Sequence, residues 1–306
     1  MTERIASAGL VADIAPAIGG SLVSFFQEAG AHAPRRDWLR DGAAAAASGG
    51  DAFEMASYPL VPWCNRIRDG RFEWNGRIVQ LPPNRPNSRH PLHGIGWRRA
   101  WRVTARGDAH VDLAFEDDGK GAWPFPFQAR QRYALDPAGL DITLAVTNTG
   151  SESMPAGLAH HPYIPHRREG RGTVVRTRVE AMWLADRDVL PTALSTTHPA
   201  IGALRSGMRL ADFDLDNNFT GFAHEVEVTW PDGAGLHLIG GAPLDFFVLY
   251  CPADRDIAAI EAVSNATDWL NLRASQPRAT IGGAALAPGE TLEVRTRLEP
   301  VTVRHD

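Results

Sequence analysis

The strongest constraint on this chain is an alternation of apolar and polar residues, repeated in short runs from end to end. Gln128–Leu135 and Leu140–Thr147 carry it most cleanly. Strand side chains point to opposite faces in turn, so such a run buries one face and wets the other. A surface helix would instead repeat about every 3.6 residues. Further candidate strands are Leu10–Ile14, Ser21–Gln27, Trp101–Ala105, Val111–Phe115, Val174–Glu180, Val226–Trp230, Leu236–Ile239, Phe246–Tyr250 and Thr291–Leu298. Asn75-Gly76, between Arg71–Trp74 and Arg77–Leu81, predicts a tight hairpin, because a type I′ turn needs two positive φ angles. Pro137-Ala138-Gly139 and Pro231-Asp232-Gly233 predict two more. With 29 glycines and 22 prolines, turns are plentiful and long helices have little room. Ala43–Ala47 has helix propensity but lies between Gly42 and Ser48-Gly49-Gly50, and is predicted as part of a mobile connector from Asp41 to Asp51. The expected fold is all-β, a large antiparallel β-sandwich forming one domain over residues 1–306.

Charge narrows the partners. Thirty-one basic against 36 acidic residues leave a net charge of −5. That argues against nucleic acid and anionic membranes, both of which attract net positive surfaces. Lys120 is the only lysine and sits in a glycine-flanked acidic stretch, so Schiff-base chemistry, which needs a desolvated amine, is not expected. There is no G-x-x-x-x-G-K-[ST] phosphate loop. Cys64 and Cys251 could pair, yet two cysteines make neither a disulfide framework nor a metal motif. Met1–Ala6 does not read as a signal peptide, and no apolar run reaches about 18 residues. A cytoplasmic location with no membrane partner is the expectation.

Four clusters carry candidate chemistry. Asn65 and Arg66 supply amide and guanidinium donors, and His93 precedes Gly94-Ile95-Gly96, a turn that would let a ligand approach the backbone. Trp63 and Trp97 flank these groups and fit either sugar-stacking platforms or ordinary core. Arg66, Arg68, Arg71, Arg85, Arg89, Arg98 and Arg99 crowd the same stretch. The second cluster is His160, His161 and His166. Alternation sends His160 and His161 to opposite faces and no acidic partner stands at ligand spacing, so one inward histidine working as a general acid is favoured over a metal site. Asp212, Asp214 and Asp216 form the third, sharing one face if the segment is extended. In the fourth, Glu261 ends an apolar run from Ile257 to Ile260; burial would raise its pKa and make it a usable base, unless an arginine neutralises it.

Taken in order, these pieces resemble the aldose 1-epimerase (galactose mutarotase) family. The matching elements are Asn65-Arg66-Ile67, Gly70-Arg71-Phe72, Asn75-Gly76, Asn87, Leu92-His93-Gly94, His161-Pro162-Tyr163, Asp216-Asn217-Asn218-Phe219, Glu261 with Ser264-Asn265 and Asp268, and Leu286–Thr291. The resemblance spans residues 8 to 298. It implies a galactose mutarotase-like supersandwich, an isomerase without cofactor or metal, and a small-molecule sugar as partner to a monomer or homodimer. By the same resemblance Glu261 is the general base and His161 the general acid, His93 holds the ring-oxygen side of the sugar, and Arg66, Asp216 and Asn65 bind substrate. A hexose-6-phosphate 1-epimerase, a non-catalytic sugar-binding protein of the same fold and a zinc hydrolase built on the histidines are the alternatives weighed against a mutarotase of free aldoses.

Overall fold

The computed structural model describes residues 2–30, 34–166 and 172–301. The clean alternations become the centre of a nine-stranded antiparallel sheet. Phe127–Leu135 pairs with Leu140–Asn148 from Leu135↔Leu140 to Phe127↔Asn148. Both strands bury every second residue, so Ile142, Leu144 and Val146 face inward while Thr143 and Ala145 face outward. A one-residue slip would wet that whole set, so burial fixes the register. At roughly 1.5–3 kcal/mol per fully buried aliphatic side chain, this face alone outweighs any local turn preference. The full order is Met208–Arg209, Val174–Arg176, Glu225–Thr229, Gly235–Ile239, Thr291–Val301, Leu140–Asn148, Phe127–Leu135, His110–Asp117 and Arg102–Gly107.

A second sheet of eight strands follows a different rule. Its path runs Pro191–Ser195, Ala181–Ala185, Leu215–Thr220, Phe246–Cys251, Ala258–Val263, Ala159–His160 and Pro59–Leu60, with Tyr163–Ile164 also paired to Ala258–Val263. All six residues of Ala258–Val263 are buried, as expected of a strand covered on both faces. One continuous core contains residues of both sheets, from Leu144 and Val294 to Phe247 and Ile260. A four-stranded sheet of residues 3–37 is joined to it through Ile5, Ile14 and Phe25.

The Asn75-Gly76 hairpin forms with φ of 51° and 73°, as a type I′ turn demands. The two proline turns also close hairpins, Asp136 accepting from the Gly139 N–H at 2.9 Å and Asp232 from the Ala234 N–H at 3.2 Å. Two expectations are corrected and one element is added. Ala43–Ala47 is a five-residue helix, begun by the Asp41 carboxylate accepting from the Ala43 N–H at 3.0 Å. The strand expected over Val174–Glu180 stops at Arg176, where Thr177 turns its hydroxyl onto the Glu225 carbonyl. Pro199–Ser206 is a helix that the strand reading overlooked; His198 caps it and Pro199 sets its first turn.

Candidate active site

Cross-strand register gathers the acids first. Asp216 pairs with Tyr250, and Val248 pairs with Glu261. Val248 and Tyr250 are two residues apart and share a face, so Asp216 and Glu261 share it as well. Ala159–His160 and Tyr163–Ile164 flank the Glu261 strand on its other side and carry His161 between them. The result is a contact of 3.2 Å between His161 Nε2 and Glu261 Oε1, with side chains 7% and 2% exposed. The second carboxyl oxygen, Glu261 Oε2, and the second ring nitrogen, His161 Nδ1, are buried without hydrogen-bond partners. Tyr58 stacks on the imidazole at 4.8 Å and 16°, fixing its plane.

The loop carrying Asn65 and Arg66 is zipped to the one carrying His93. The Asn65 N–H donates to His93 Nδ1 at 3.1 Å, and the His93 N–H donates to the Asn65 carbonyl at 3.1 Å. Both residues sit at φ near 58°, a conformation asparagine and histidine tolerate better than most. Because Nδ1 accepts, the neutral ring must carry its proton on Nε2, which makes His93 a donor. Burial holds His93 well below the usual imidazole range, with His161 and Arg66 adding to the effect. Arg66 donates to Asn65 Oδ1 at 3.3 Å and to Asp216 Oδ2 at 3.4 Å. Asp268 anchors this loop: its N–H donates to the Arg66 carbonyl at 2.9 Å and its carboxylate accepts from the Arg68 N–H at 2.9 Å.

All six residues singled out in the sequence (Asn65, Arg66, His93, His161, Asp216 and Glu261) line one cleft of about 440 Å³. A concavity of about 960 Å³ lies elsewhere and one of about 800 Å³ adjoins the cleft at Arg40 and Ile257, and neither is lined by the His161–Glu261 pair. Desolvation dominates the electrostatics. Burial raises the Glu261 carboxyl well above the ordinary range; Asp216 adds to the rise and Arg66 opposes it. Burial lowers His161 to about 3. Burial therefore drives both groups toward neutrality. Moving one proton between them leaves the net charge of the pair unchanged, so the pair retains one transferable proton and one free lone pair. Asp216 is also raised by burial, against the pull of Arg66.

Several local readings change. Trp63 and Trp97 are core residues, 2% and 7% exposed, and neither lines the cleft; Phe53, Tyr163 and Tyr250 supply its aromatic surface. Gly94 is required because a Cβ there would run into the Val61 carbonyl, so the close approach is to backbone rather than to a ligand. The three aspartates do not share a face. Asp212 lies in a helical turn bonded to Arg209, Asp214 accepts from the Ala253 N–H, and Asp216 alone enters the cleft. His160 packs edge-on to Tyr133 at 5.8 Å, apart from His161, and His166 bonds Thr173 at 3.2 Å. Cys64 and Cys251 are both buried and are not joined by a disulfide. Of the seven crowded arginines only Arg66 and Arg85 line the cleft. Arg40, Tyr250 and Arg255 also line it and were not singled out. The strand pairing of Tyr250 with Asp216 was the one signal that could have found it.

A β-sandwich with a buried carboxyl–imidazole contact in a polar cleft is the frame for comparison with known proteins. The family model for aldose 1-epimerase matches residues 4–299, and the chain belongs to that family. It is 30% identical over 263 residues to the uncharacterized Escherichia coli (strain K12) protein YphB, covering 82% of this chain and 86% of that one. A crystal structure of an aldose 1-epimerase candidate from Escherichia coli K12 superposes with a TM-score of 0.86 at 24% identity, covering 99% of each chain. The GalM/aldose epimerase homologue from C. elegans gives 0.83 at 18% identity, again over 99% of each chain. Among the described residues, no helix is long and apolar enough to cross a membrane.

Proposed function

We propose that this protein interconverts the α and β anomers of an aldose. One observation carries the reading: a carboxyl and an imidazole that both line a polar cleft touch at 3.2 Å, each with a second, buried polar atom left unpartnered. Ring opening needs a proton removed from the C1 hydroxyl and one delivered to the ring oxygen. Both oxygens are bonded to C1, so acid and base must stand side by side.

Glu261 takes the hydroxyl proton while His161 protonates the ring oxygen, and the C1–ring oxygen bond breaks to give the open aldehyde. Rotation about C1–C2 presents the other carbonyl face. Closure reverses the two roles: Glu261 gives its proton to the C1 oxygen, His161 takes the proton of the chain hydroxyl whose oxygen attacks C1, and the pair is restored. No electron is transferred and no group leaves the sugar, so the chemistry calls for no cofactor. His93 Nε2–H, Arg66 and Asp216 supply donors and an acceptor for the sugar hydroxyls.

Polarimetry of freshly dissolved α-D-galactose, α-D-glucose and a pentose tests this. The protein is expected to accelerate the decay of optical rotation for at least one aldose. Decay at the buffer rate for every neutral and anionic aldose would sink the reading.

A further inference from the structure

The outer part of the cleft carries two cations that no carboxylate neutralises. Arg85 and Arg255 both line it and both are exposed, whereas Glu261 and His161 form the buried floor. Neither arginine has an ion-pair partner among the described residues; Arg85 only stacks on Phe53, 4.1 Å from the ring centre. The other charges around the cleft are committed. Arg66 holds Asp216, and Arg40 donates to the carbonyls of Phe53 and Met55. Asp51 and Glu54 cap each other's backbone, Asp51 accepting from the Phe53 N–H at 2.8 Å and Glu54 from the Asp51 N–H at 3.1 Å.

Both guanidiniums line the same cleft as the Tyr250 phenol. Burial raises the Tyr250 phenol, Arg255 and Arg85 lower it, and Asp216 and Asp254 add to the rise, so the two arginines act on it from different loops against two carboxylates. Arg85 comes from the segment before His93, and Arg255 from the turn between Phe246–Cys251 and Ala258–Val263. Two guanidiniums and a phenol O–H offer donors and no acceptor except the phenol oxygen, which is the recognition chemistry of an oxyanion.

We infer that the substrate is an aldose bearing an anionic group at the end remote from C1, seated on Arg85, Arg255 and Tyr250 while C1 lies against Glu261 and His161. This rests on the epimerase reading and specifies its substrate class. A phosphate ester and a sugar carboxylate present the same oxyanion chemistry.

The test compares kcat/KM for anomer exchange on glucose, glucose 6-phosphate and glucuronate at one ionic strength, with the wild-type protein, Arg85→Gln and Arg255→Gln. The wild type is expected to prefer one of the two anions over glucose by about tenfold or more, the better anion identifying the group, and each substitution is expected to cut that preference about tenfold. Raising ionic strength to about 1 M, where the screening length is about 3 Å, should shrink the preference in the wild type and not in the variants. Exchange on glucose that equals or exceeds exchange on both anions overturns the inference while leaving the epimerase reading intact. An anion preference that survives both substitutions overturns the assignment to these arginines. Absence of exchange on all three sugars overturns the epimerase reading, and the inference with it.

Discussion

The two large sheets solve the same folding problem in opposite ways. In the nine-stranded sheet Leu140–Asn148 buries alternate residues and leaves the others toward solvent. In the other sheet Ala258–Val263 is buried on both faces, and a single charged residue, Glu261, lies within it. One-sided burial makes a strong, register-specific scaffold but cannot desolvate a carboxylate on its wet face. Two-sided burial can, and the cost is local instability that the scaffold must offset. In the proposed reading, chemistry belongs to the less regular sheet and stability to the more regular one.

That division can be broken experimentally. The largest effect is expected from Glu261→Gln, which keeps the shape of the side chain but removes the base; kcat should fall about 10²–10⁴-fold, measured by polarimetry, with the melting temperature little lowered or even raised. Leu144→Ala, in the fully buried row of the nine-stranded sheet, should do the reverse. It should cost about 2–5 kcal/mol in denaturant unfolding while the folded fraction keeps its activity. Asp268→Asn sits between the two, because Asp268 fixes the Asn65–Arg68 loop rather than touching substrate. A rise in KM of several-fold with a smaller change in kcat is expected, and a loss confined to kcat would contradict that positioning role.

A pH profile sharpens the same contrast. The His161–Glu261 pair works while it holds one transferable proton. It gains a second only as pH falls through the lowered His161 value, near 3, and loses the last only as pH rises through the raised Glu261 value. Activity should therefore not fall as pH drops from 7 to about 5, where an exposed histidine of pKa about 6.5 would already titrate. A drop in kcat centred near 6.5 would show that the pair is not desolvated in this way. The smallest effect is expected for Trp63→Phe, which removes core volume without touching the cleft: stability should fall modestly and KM should not move.

How much of this the sequence discloses follows the same line. Alternation and turn chemistry mark the nine-stranded sheet and the Asn75-Gly76 hairpin because one-sided burial writes itself into period two. The second sheet is less legible. Ala159–His160 and Pro59–Leu60 are two-residue strands held by their neighbours, too short to carry any period. Ala181–Ala185 and Pro191–Ser195 pass unnoticed for lack of a regular polar face. Glu261, His161, Arg66 and His93 are legible as chemical types embedded in motifs. Tyr250 and Arg255 are not, since their place in the cleft depends on which strand lies beside which. Trp63 and Trp97 show the converse: residue type suits a sugar platform, yet packing makes them core.

Magnetisation-transfer NMR between the two anomeric protons, at equilibrium with a sugar that the wild type turns over, tests the central claim most directly. The account predicts exchange well above the buffer rate with the wild-type protein and exchange at the buffer rate with Glu261→Gln, while the sugar resonances still broaden on binding. Wild-type exchange in the Glu261→Gln protein would contradict it.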